Sequence, residues 1–494
     1  MKSNYPRIII VGMRGGTGKT TVSLGIIAAW RKQGRLIVPY KKGPDYIDAG
    51  WLSSAAKHPC YNLDPFLITK EKILASFTGH YGSADSAVIE GNRGLYDGMD
   101  AAGTYSTAEL AKTLHAPIIL VLDCTKVTRT AAAMLLGMMK FDPKVKISGV
   151  ILNHIAGKRH EKVIKEAIEK YCNVPVVGAI PRLKGEQLSE RHMGLTPFQE
   201  HPGVQKAISA TAEIAEKYLD LNKIWQLAEA AAPLQTGRKA KGERLKAKTP
   251  LPAIQTGLKA EGARQKVGSL SPFAVCLSPS VRIGIIRDSA FQFYYPENFE
   301  ELEKHGAELV EVSALTARKL PDVDALYIGG GFPETHAIAL AKNRAFRTSL
   351  KMAVEQGLPV YAECGGLMYL GDALVLDNKT YSMAGIFPLR FNLERKPQAH
   401  GYTIVKVHRA NSFYKRGTVL KGHEFHYSAV SPSKKGIKLK FAFIMKRGEG
   451  IKDQRDGICI KNVLATYTHL HALGSPQWAE GMIRVAQKYR RSRK

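Results

Sequence analysis

The sequence predicts an α/β protein of two domains, in which the N-terminal domain contains a doubly wound parallel sheet and the C-terminal domain is a second α/β unit. Short apolar runs alternate with amphipathic stretches from residue 7 to about residue 220, and the alternation resumes at residue 281. Wholly apolar strands separated by helices are typical of parallel sheets that helices cover on both faces. The length of 494 residues also exceeds what a single core supports.

Six strands are predicted in the N-terminal domain from short apolar runs. They span residues 7–11, 37–40, 86–90, 117–122, 147–152 and 174–179. Two of the stretches between them, 20–33 and 161–171, place apolar residues at helical spacing. The predicted order is therefore strand and helix in alternation.

A glycine-rich loop follows the first strand and opens the first helix. Residues 8–21 read Ile-Ile-Ile-Val-Gly-Met-Arg-Gly-Gly-Thr-Gly-Lys-Thr-Thr. Loop amides, a helix N-terminus, a lysine and a hydroxyl together suit a nucleotide phosphate, so the sheet is predicted to be of the P-loop type. A strict P-loop has glycine at the position of Met13, whereas this chain has Gly12 one residue earlier. The predicted nucleotide-binding residues are Gly15, Gly16, Gly18, Lys19, Thr20 and Thr21.

Acidic residues follow the next two strands. Asp45 and Asp48 come after the second strand, and Glu90 and Asp97 lie at the end of the third. Ligands of doubly wound sheets bind beyond the carboxyl ends of the strands, so these four side chains are predicted to serve the substrate and phosphoryl transfer. Mg²⁺ prefers carboxylate, hydroxyl and phosphate oxygens, and its predicted ligands are Thr20, Asp45 and Glu90. Taken singly, each acid is better explained as a helix cap or a solvated loop residue, but three sets at consecutive strand ends argue against coincidence.

Residues 229–280 differ in amino-acid composition from the segments before and after them. The segment is polar, basic and punctuated by glycine, and residues 234–246 are echoed by residues 254–266. Such a composition buries too little apolar surface to order itself, which predicts a flexible linker. A basic arm for nucleic acid is the alternative. The predicted boundaries are 1–228 for the first domain, 229–280 for the linker and 281–494 for the second domain.

The C-terminal domain is predicted to hold strands at 282–286, 308–312 and 325–328 and helices at 299–305, 344–356 and 479–490. Cys364 stands between an apolar run and a pair of glycines that open a helix. This is the layout of a nucleophile elbow, where the helix N-terminus favours the thiolate. His469 and His471 end a later apolar run, and either could serve as the base of an acyl-transfer reaction.

Composition restricts the classes of function. No apolar run is long enough to span a membrane, and the N-terminus enters the first strand without a signal peptide. The six cysteines are scattered without metal-ligand spacing, which favours a cytoplasmic location. The formal net charge of +29 suits a polyanionic ligand or serves solubility.

The two halves together resemble the cobyrinate a,c-diamide synthase family. The N-terminal half resembles ATP-dependent synthetases related to dethiobiotin synthetase, and the C-terminal half is similar to class I-type glutamine amidotransferases. The resemblance covers everything except the basic linker. The segments that carry it are 43–48, 90–98, 329–334, 362–367 and 422–428.

The resemblance implies that Cys364 and His469 release ammonia from L-glutamine, while backbone amides near Gly330, Gly331 and Gly365 hold the oxyanion. It implies that ATP, with Mg²⁺, activates the a- and c-acetate carboxylates of a tetrapyrrole polycarboxylate, and that Asn153 reads the adenine. We expect no nucleic-acid or membrane partner and allow for a homodimer. Class I enzymes usually carry a glutamate two residues after the histidine, where this chain has His471.

Two alternative functions remain, and one residue departs from the family pattern. The same chemistry applies to hydrogenobyrinate or nickel-sirohydrochlorin. Arg14 within the glycine loop also resembles the loop of partitioning-type switch ATPases, which bind DNA or membrane. Finally, Lys42 stands where family members often have valine. It could contact phosphate or a substrate carboxylate, but we expect it to be solvated.

Overall fold

The computed structural model describes residues 2–183, 190–191, 194–201, 203–235, 281–433, 436 and 439–493. Its first sheet has seven strands, all parallel. In spatial order they are Tyr61–Asn62, Ile37–Lys41, Ser86–Gly94, Arg7–Gly12, Ile118–Asp123, Ile147–Ile155 and Val176–Pro181.

The first strand lies at the centre of this sheet and is buried along its whole length. Ile8 and Ile10 face one hydrophobic cluster, whereas Ile9 and Val11 face another. Successive side chains of a strand point to opposite faces, so a strand with apolar residues at every position needs cover on both sides. The helices supply that cover, which confirms the doubly wound sheet. Helices of this half span Lys19–Lys32, Ile47–Ala56, Lys70–Tyr81, Thr107–Leu114, Thr130–Phe141, Lys158–Cys172, Val204–Tyr218 and Leu221–Glu229.

The second sheet has ten strands. Its first five strands are parallel, and the rest pair antiparallel. In spatial order they are Ala307–Val312, Val281–Ile286, Ala325–Ile328, Val360–Glu363, Val463–Thr466, Arg455–Ile460, Phe441–Arg447, Ala399–Val407, Val419–His426 and His469–Leu470.

Helices and a smaller sheet complete this half. The helices span Pro296–Lys304, Ala337–Lys342, Arg344–Glu355, Gly365–Leu370 and Gln477–Ser492. A four-stranded sheet is built from Lys379–Ser382, Ala373–Leu376, Leu389–Leu393 and Ser428–Pro432. The predicted α/β class of the C-terminal half is therefore confirmed. Within the described residues, the helices are too short or too polar to traverse a bilayer.

The start of the predicted linker packs on the N-terminal domain. Leu234–Gln235 pairs antiparallel with Lys2–Ser3, and Leu234 is buried. The Arg7 guanidinium donates to the Ala232 carbonyl oxygen over 2.6 Å. Residues 229–235 therefore belong to the fold of the first domain. The rest of the predicted linker, residues 236–280, lies outside the described residues.

Candidate active sites at the domain interface

The glycine loop after the first strand has the backbone that its glycines predict. Gly16 and Gly18 adopt positive φ angles of 73° and 86°, a region that side chains with a Cβ rarely enter. Gly18 immediately precedes the helix Lys19–Lys32. The exposed Gly15 and Gly16 leave the backbone open to a ligand in front of this helix N-terminus. Thr20 and Thr21 lie in the first turn of the helix.

The Glu90 carboxylate is fully buried. It contacts the predicted residues Thr20 and Lys19 directly and is linked to Asp48 through Lys41. The Thr20 hydroxyl donates to its Oε1 over 2.8 Å, and the Lys19 ammonium lies 3.7 Å from the same atom. The Lys41 ammonium bridges it to Asp48, at 3.0 Å from Glu90 and 2.6 Å from Asp48. Burial alone would lower the pKa of Lys41, but Asp48 and Glu90 outweigh burial and raise it.

Asp45 and Asp48 lie next to each other, and their pKa values are shifted in opposite directions. Burial and the charge of Asp48 raise the pKa of Asp45 to about 7. Burial opposes ionisation of Asp48 as well, but the charges of Lys41 and Lys19 lower its pKa. Asp45 also caps the helix Ile47–Ala56, because its Oδ1 accepts from the Ile47 and Asp48 amides at 2.9 Å.

Asp97 makes its contact at the end of the Glu90 strand and not with the Glu90 carboxylate. Its carboxylate is exposed and accepts from the Gly94 amide over 2.8 Å. Asn153 is buried, and its amide donates to the Thr17 carbonyl oxygen of the glycine loop over 2.9 Å. In this arrangement Asn153 supports the loop, and its role as the adenine reader stays a prediction.

The residues near Glu90 fit a magnesium ion that also binds phosphate. The Oε2 of Glu90 is buried without a hydrogen-bond partner among the described residues, and the Thr20 hydroxyl is next to it. The described part of the chain offers no cluster of three or more histidine, cysteine, aspartate or glutamate residues for a metal. An ion bound here would thus take much of its coordination from nucleotide and water, as Mg²⁺ usually does.

Cys364 occupies a strained turn between a strand and a helix. It has φ 47° and ψ −102°, and it separates Val360–Glu363 from the helix Gly365–Leu370. A positive φ at a residue with a Cβ is the strain that a nucleophile elbow predicts. The structure thus presents the thiol at a helix N-terminus, as the sequence indicates.

His469 contacts the Cys364 thiol, and a buried carboxylate lies behind it. Its Nδ1 is 3.6 Å from the Glu363 Oε2, and both residues are buried. Burial alone would lower the pKa of His469, but the hydrogen bonds and charges of Cys364 and Glu363 raise it to about 10. The arrangement favours the imidazolium form beside the thiol. Sequence reasoning missed Glu363, although it directly precedes the nucleophile and ends a fully buried strand.

His471 points to a different neighbour. Its Nε2 is 3.5 Å from the Glu297 Oε1, and its ring packs against Tyr295 at 4.6 Å between centroids. The contacts with Cys364 therefore favour His469 as the base, while His471 belongs to a separate buried pair.

The three glycines predicted to hold an oxyanion lie together beside these residues. A Cβ on Gly330 would come within 2.5 Å of the His469 Cε1, and one on Gly365 would come within 3.0 Å of the Gly331 backbone nitrogen. The close approach of backbone to the base leaves no room for side chains here. The amides of this cluster are thus near the place where a substrate carbonyl would meet the thiol.

Tyr46 joins the two sites across the domain interface. It lies in the loop between Asp45 and Asp48, and its ring stacks on Phe293 with centroids 5.2 Å apart. The His469 ring is 5.4 Å from the Tyr46 ring. The acidic loop of the first domain therefore reaches His469, the predicted base, in the second domain.

Lys42 is part of the same interface, and the expectation that it is solvated was wrong. It is buried, and its ammonium lies 3.9 Å from the Asp64 carboxylate and 3.5 Å from the Tyr402 hydroxyl. The Tyr402 hydroxyl donates to Asp64 over 2.6 Å. Lys42 therefore stabilises contacts between the domains.

Two family models match the chain. Residues 8–195 match a CobQ/CobB/MinD/ParA nucleotide binding domain, and residues 282–477 match a CobB/CobQ-like glutamine amidotransferase domain. The first model spans the sheet with the glycine loop, and the second spans the cysteine elbow and His469.

Curated relatives match the chain over almost its full length. A cobyrinate a,c-diamide synthase of Magnetococcus marinus is 40% identical, with 98% of each chain covered. One of Archaeoglobus fulgidus is also 40% identical, with 98% of each covered, and one of Methanosarcina acetivorans is 37% identical, with 99% of this chain and 97% of the relative covered. Identity at this level over both domains shows common descent of the whole two-domain chain. The chain therefore belongs to the cobyrinate a,c-diamide synthase family.

Proposed function

We propose that this enzyme amidates the a- and c-acetate carboxylates of cobyrinate in cobalamin biosynthesis, using ATP and L-glutamine. The observation that carries the proposal is the contact of Tyr46 with His469, which brings the predicted phosphoryl-transfer loop to the predicted glutaminase base. An interface shared by the two sites lets ammonia released at one reach the other without leaving the protein. The family membership supports the choice of substrate.

In the C-terminal domain, the Cys364 sulfur attacks the side-chain amide carbon of glutamine. His469 holds the thiol proton as an imidazolium and donates it to the departing nitrogen, so that the carbon–nitrogen bond breaks and ammonia leaves. The amides of Gly330, Gly331 and Gly365 stabilise the oxyanion. Water then attacks the thioester carbon, the carbon–sulfur bond breaks, and glutamate and the thiol are restored.

In the N-terminal domain, an oxygen of the substrate carboxylate attacks the γ-phosphorus of ATP, and the bond to the β-phosphate oxygen breaks to release ADP. Ammonia attacks the resulting acyl carbon, and phosphate leaves. The glycine loop and Lys19 hold the phosphates during this transfer. Mg²⁺, held by Thr20 and Glu90, would neutralise phosphate charge when it is bound.

Mass spectrometry of the products tests this proposal. The purified protein is incubated with cobyrinate, ATP, Mg²⁺ and glutamine, and we expect one and then two exchanges of carboxylate for amide. Parallel reactions with hydrogenobyrinate and nickel-sirohydrochlorin decide between the related substrates. ATP hydrolysis that responds to DNA or lipid vesicles but never to a tetrapyrrole would contradict the proposal and favour a switch ATPase.

Replacement of the nucleophile separates the two half-reactions. We expect Cys364→Ala to lose glutamine-dependent amidation by at least about a thousandfold, since no other group forms the thioester. Amidation with added ammonium chloride should persist. Cys459→Ala, at a half-buried cysteine away from the elbow, is the control and should retain both activities. Glutamine-dependent turnover that survives in Cys364→Ala would refute the assignment.

A further inference from the structure

Glu297 and His471 form a buried polar pair that the steps above do not use. Glu297 is 1% exposed and His471 is fully buried. Neither carboxylate oxygen of Glu297 and neither ring nitrogen of His471 has a hydrogen-bond partner among the described residues. Their nearest atoms are 3.5 Å apart, which is longer than a good hydrogen bond. Burial of such groups is costly unless something satisfies them, so the pair indicates a small hydrogen-bonding ligand.

One side of this pair faces the N-terminal domain. Glu297 lies in the first turn of the helix Pro296–Lys304, and Glu300 follows one turn later on the same face. Glu300 accepts from the Tyr61 hydroxyl over 3.1 Å and lies 2.8 Å from His80, and both of those residues belong to the first domain. The face that carries Glu297 is therefore directed at that domain.

The strand Tyr61–Asn62 connects this face to the Lys41–Glu90 group. Tyr61, whose hydroxyl donates to Glu300, is followed by Asn62, and Asn62 pairs with Lys41 in the parallel sheet. The Lys41 ammonium in turn lies 3.0 Å from Glu90. The helix that carries Glu297 and Glu300 thus packs beside the strands that carry the predicted phosphoryl-transfer residues.

The other side of the pair faces the glutaminase site. His471 follows His469 by two residues, and its ring packs on Tyr295. Tyr295 in turn packs on Tyr46 at 4.6 Å, and Tyr46 contacts His469. The pair is therefore linked to His469 through Tyr295 and Tyr46, and to the Lys41–Glu90 group through the helix that carries Glu297 and Glu300.

We propose that Glu297 and His471 bind the ammonia released from glutamine while it passes between the two sites. This inference rests on the proposed function. An ammonia molecule can donate N–H bonds to the Glu297 carboxylate and accept one from a ring N–H of His471, and no covalent bond changes. Tyr295, which packs on His471, is fully buried like the pair itself, so bulk water does not reach these groups. The Glu297 carboxylate is a strong acceptor without a hydrogen-bond partner among the described residues, and it suits a ligand rich in N–H donors.

The coupling between the half-reactions tests this inference. Glutamate release and amide formation are measured in the full chain with cobyrinate, ATP and glutamine, and amide formation is measured again with ammonium chloride. In Glu297→Leu we expect the amide formed per glutamate released to fall about tenfold, because ammonia escapes to solvent. Ammonia-dependent amidation should stay at the level of the unchanged protein. Glu297→Gln keeps a carbonyl acceptor and should restore more than half of the coupling.

Two further variants sharpen the result. Glu303→Gln, at an exposed position of the same helix, is the control and should remain coupled. His471→Asn should uncouple the reactions in the same way, and loss of its glutamate release would instead identify His471 as the base and overturn the proposal. Full coupling in Glu297→Leu would mean that the pair holds water only. Loss of amidation from both nitrogen sources would make the pair structural, and either result overturns the inference.

The same assay separates this inference from the proposed function. An unchanged protein that forms no amide from any tetrapyrrole would overturn the proposed function and the inference with it. A coupled unchanged protein with an equally coupled Glu297→Leu variant would overturn the inference alone.

Discussion

The carboxylate beside the His469 imidazole comes from Glu363, which precedes the histidine in the chain and does not follow it. The family pattern of class I amidotransferases places a glutamate after the histidine, and this chain has His471 there. The structure brings Glu363 to 3.6 Å from the His469 Nδ1 instead. The Tyr327 hydroxyl and the Leu470 amide donate to Glu363 over 3.1 Å and hold the carboxylate in place. A carboxylate at this position can orient the ring and stabilise its charge.

Replacement of Glu363 should weaken the base. In Glu363→Gln a neutral amide faces the imidazolium, so we expect the pKa of His469 to fall from about 10 and glutamate release to fall at least about tenfold. NMR titration of His469, assigned with a His469→Gln variant, measures the pKa. Glu355→Gln, exposed at the end of a helix, is the control. An unchanged titration of His469 would show that Glu363 does not act on it.

At the scale of the element, the glycine loop depends on single glycines for different reasons. Gly18 has a positive φ, and a Cβ there would lie 2.4 Å from the Asn153 amide nitrogen. Gly15 has neither restriction, because a Cβ there meets nothing within 4 Å. Two glycines of one loop are therefore expected to respond differently to the same substitution.

Alanine substitution tests this difference. We expect Gly18→Ala to lower the free energy of unfolding by about 1–3 kcal/mol, since it forces a strained backbone and a clash. Gly15→Ala should change it by less than about 0.5 kcal/mol. Urea unfolding without nucleotide measures both. Equal effects of the two substitutions would contradict the conformation of the loop.

At the scale of the whole molecule, the two domains meet through partly exposed polar contacts as well as aromatic ones. The His80 ring stacks on Tyr61 with centroids 3.6 Å apart, and its Nε2 lies 2.8 Å from the Glu300 Oε2. Burial opposes the charge of both groups, but their mutual contact raises the pKa of His80 and lowers that of Glu300. The interface therefore holds an ion pair whose strength depends on pH.

The sign of this dependence follows from the two shifts. The raised pKa of His80 stabilises the folded protein below about pH 6.5, and this contribution is lost as the pH rises through the raised value. The lowered pKa of Glu300 stabilises it above about pH 4.3, and this contribution is lost as the pH falls. The pair is thus strongest between these two limits.

A double-mutant cycle with His80→Gln and Glu300→Gln checks the prediction. We expect the coupling between the two substitutions in the thermal midpoint to be larger near about pH 5.5 than near about pH 8.5. A coupling that is the same at both pH values would contradict the ion pair. Glu303→Gln in place of Glu300→Gln is the control and should show no coupling with His80→Gln.

The local pattern of residues determined the elements and the chemistry that each one carries. The strand 325–328 and the helix that starts at Arg344 were predicted with the bounds that the structure has at those points. The glycine loop and Cys364 were equally readable, because each motif depends on neighbours within a few positions. Such short-range signals do not depend on how the domains meet.

Only the tertiary structure decided which side chains from distant parts of the chain meet. Lys42 reads as a surface lysine, and its burial follows from packing against Tyr402 of the other domain. Asp97 shares a motif with Glu90 but lies exposed at a turn. Glu363 contacts His469, and Glu297 pairs with His471, across more than a hundred positions in each case. The spacing of residues along the chain does not predict these contacts in space, because folding brings together residues whose separation in sequence is arbitrary.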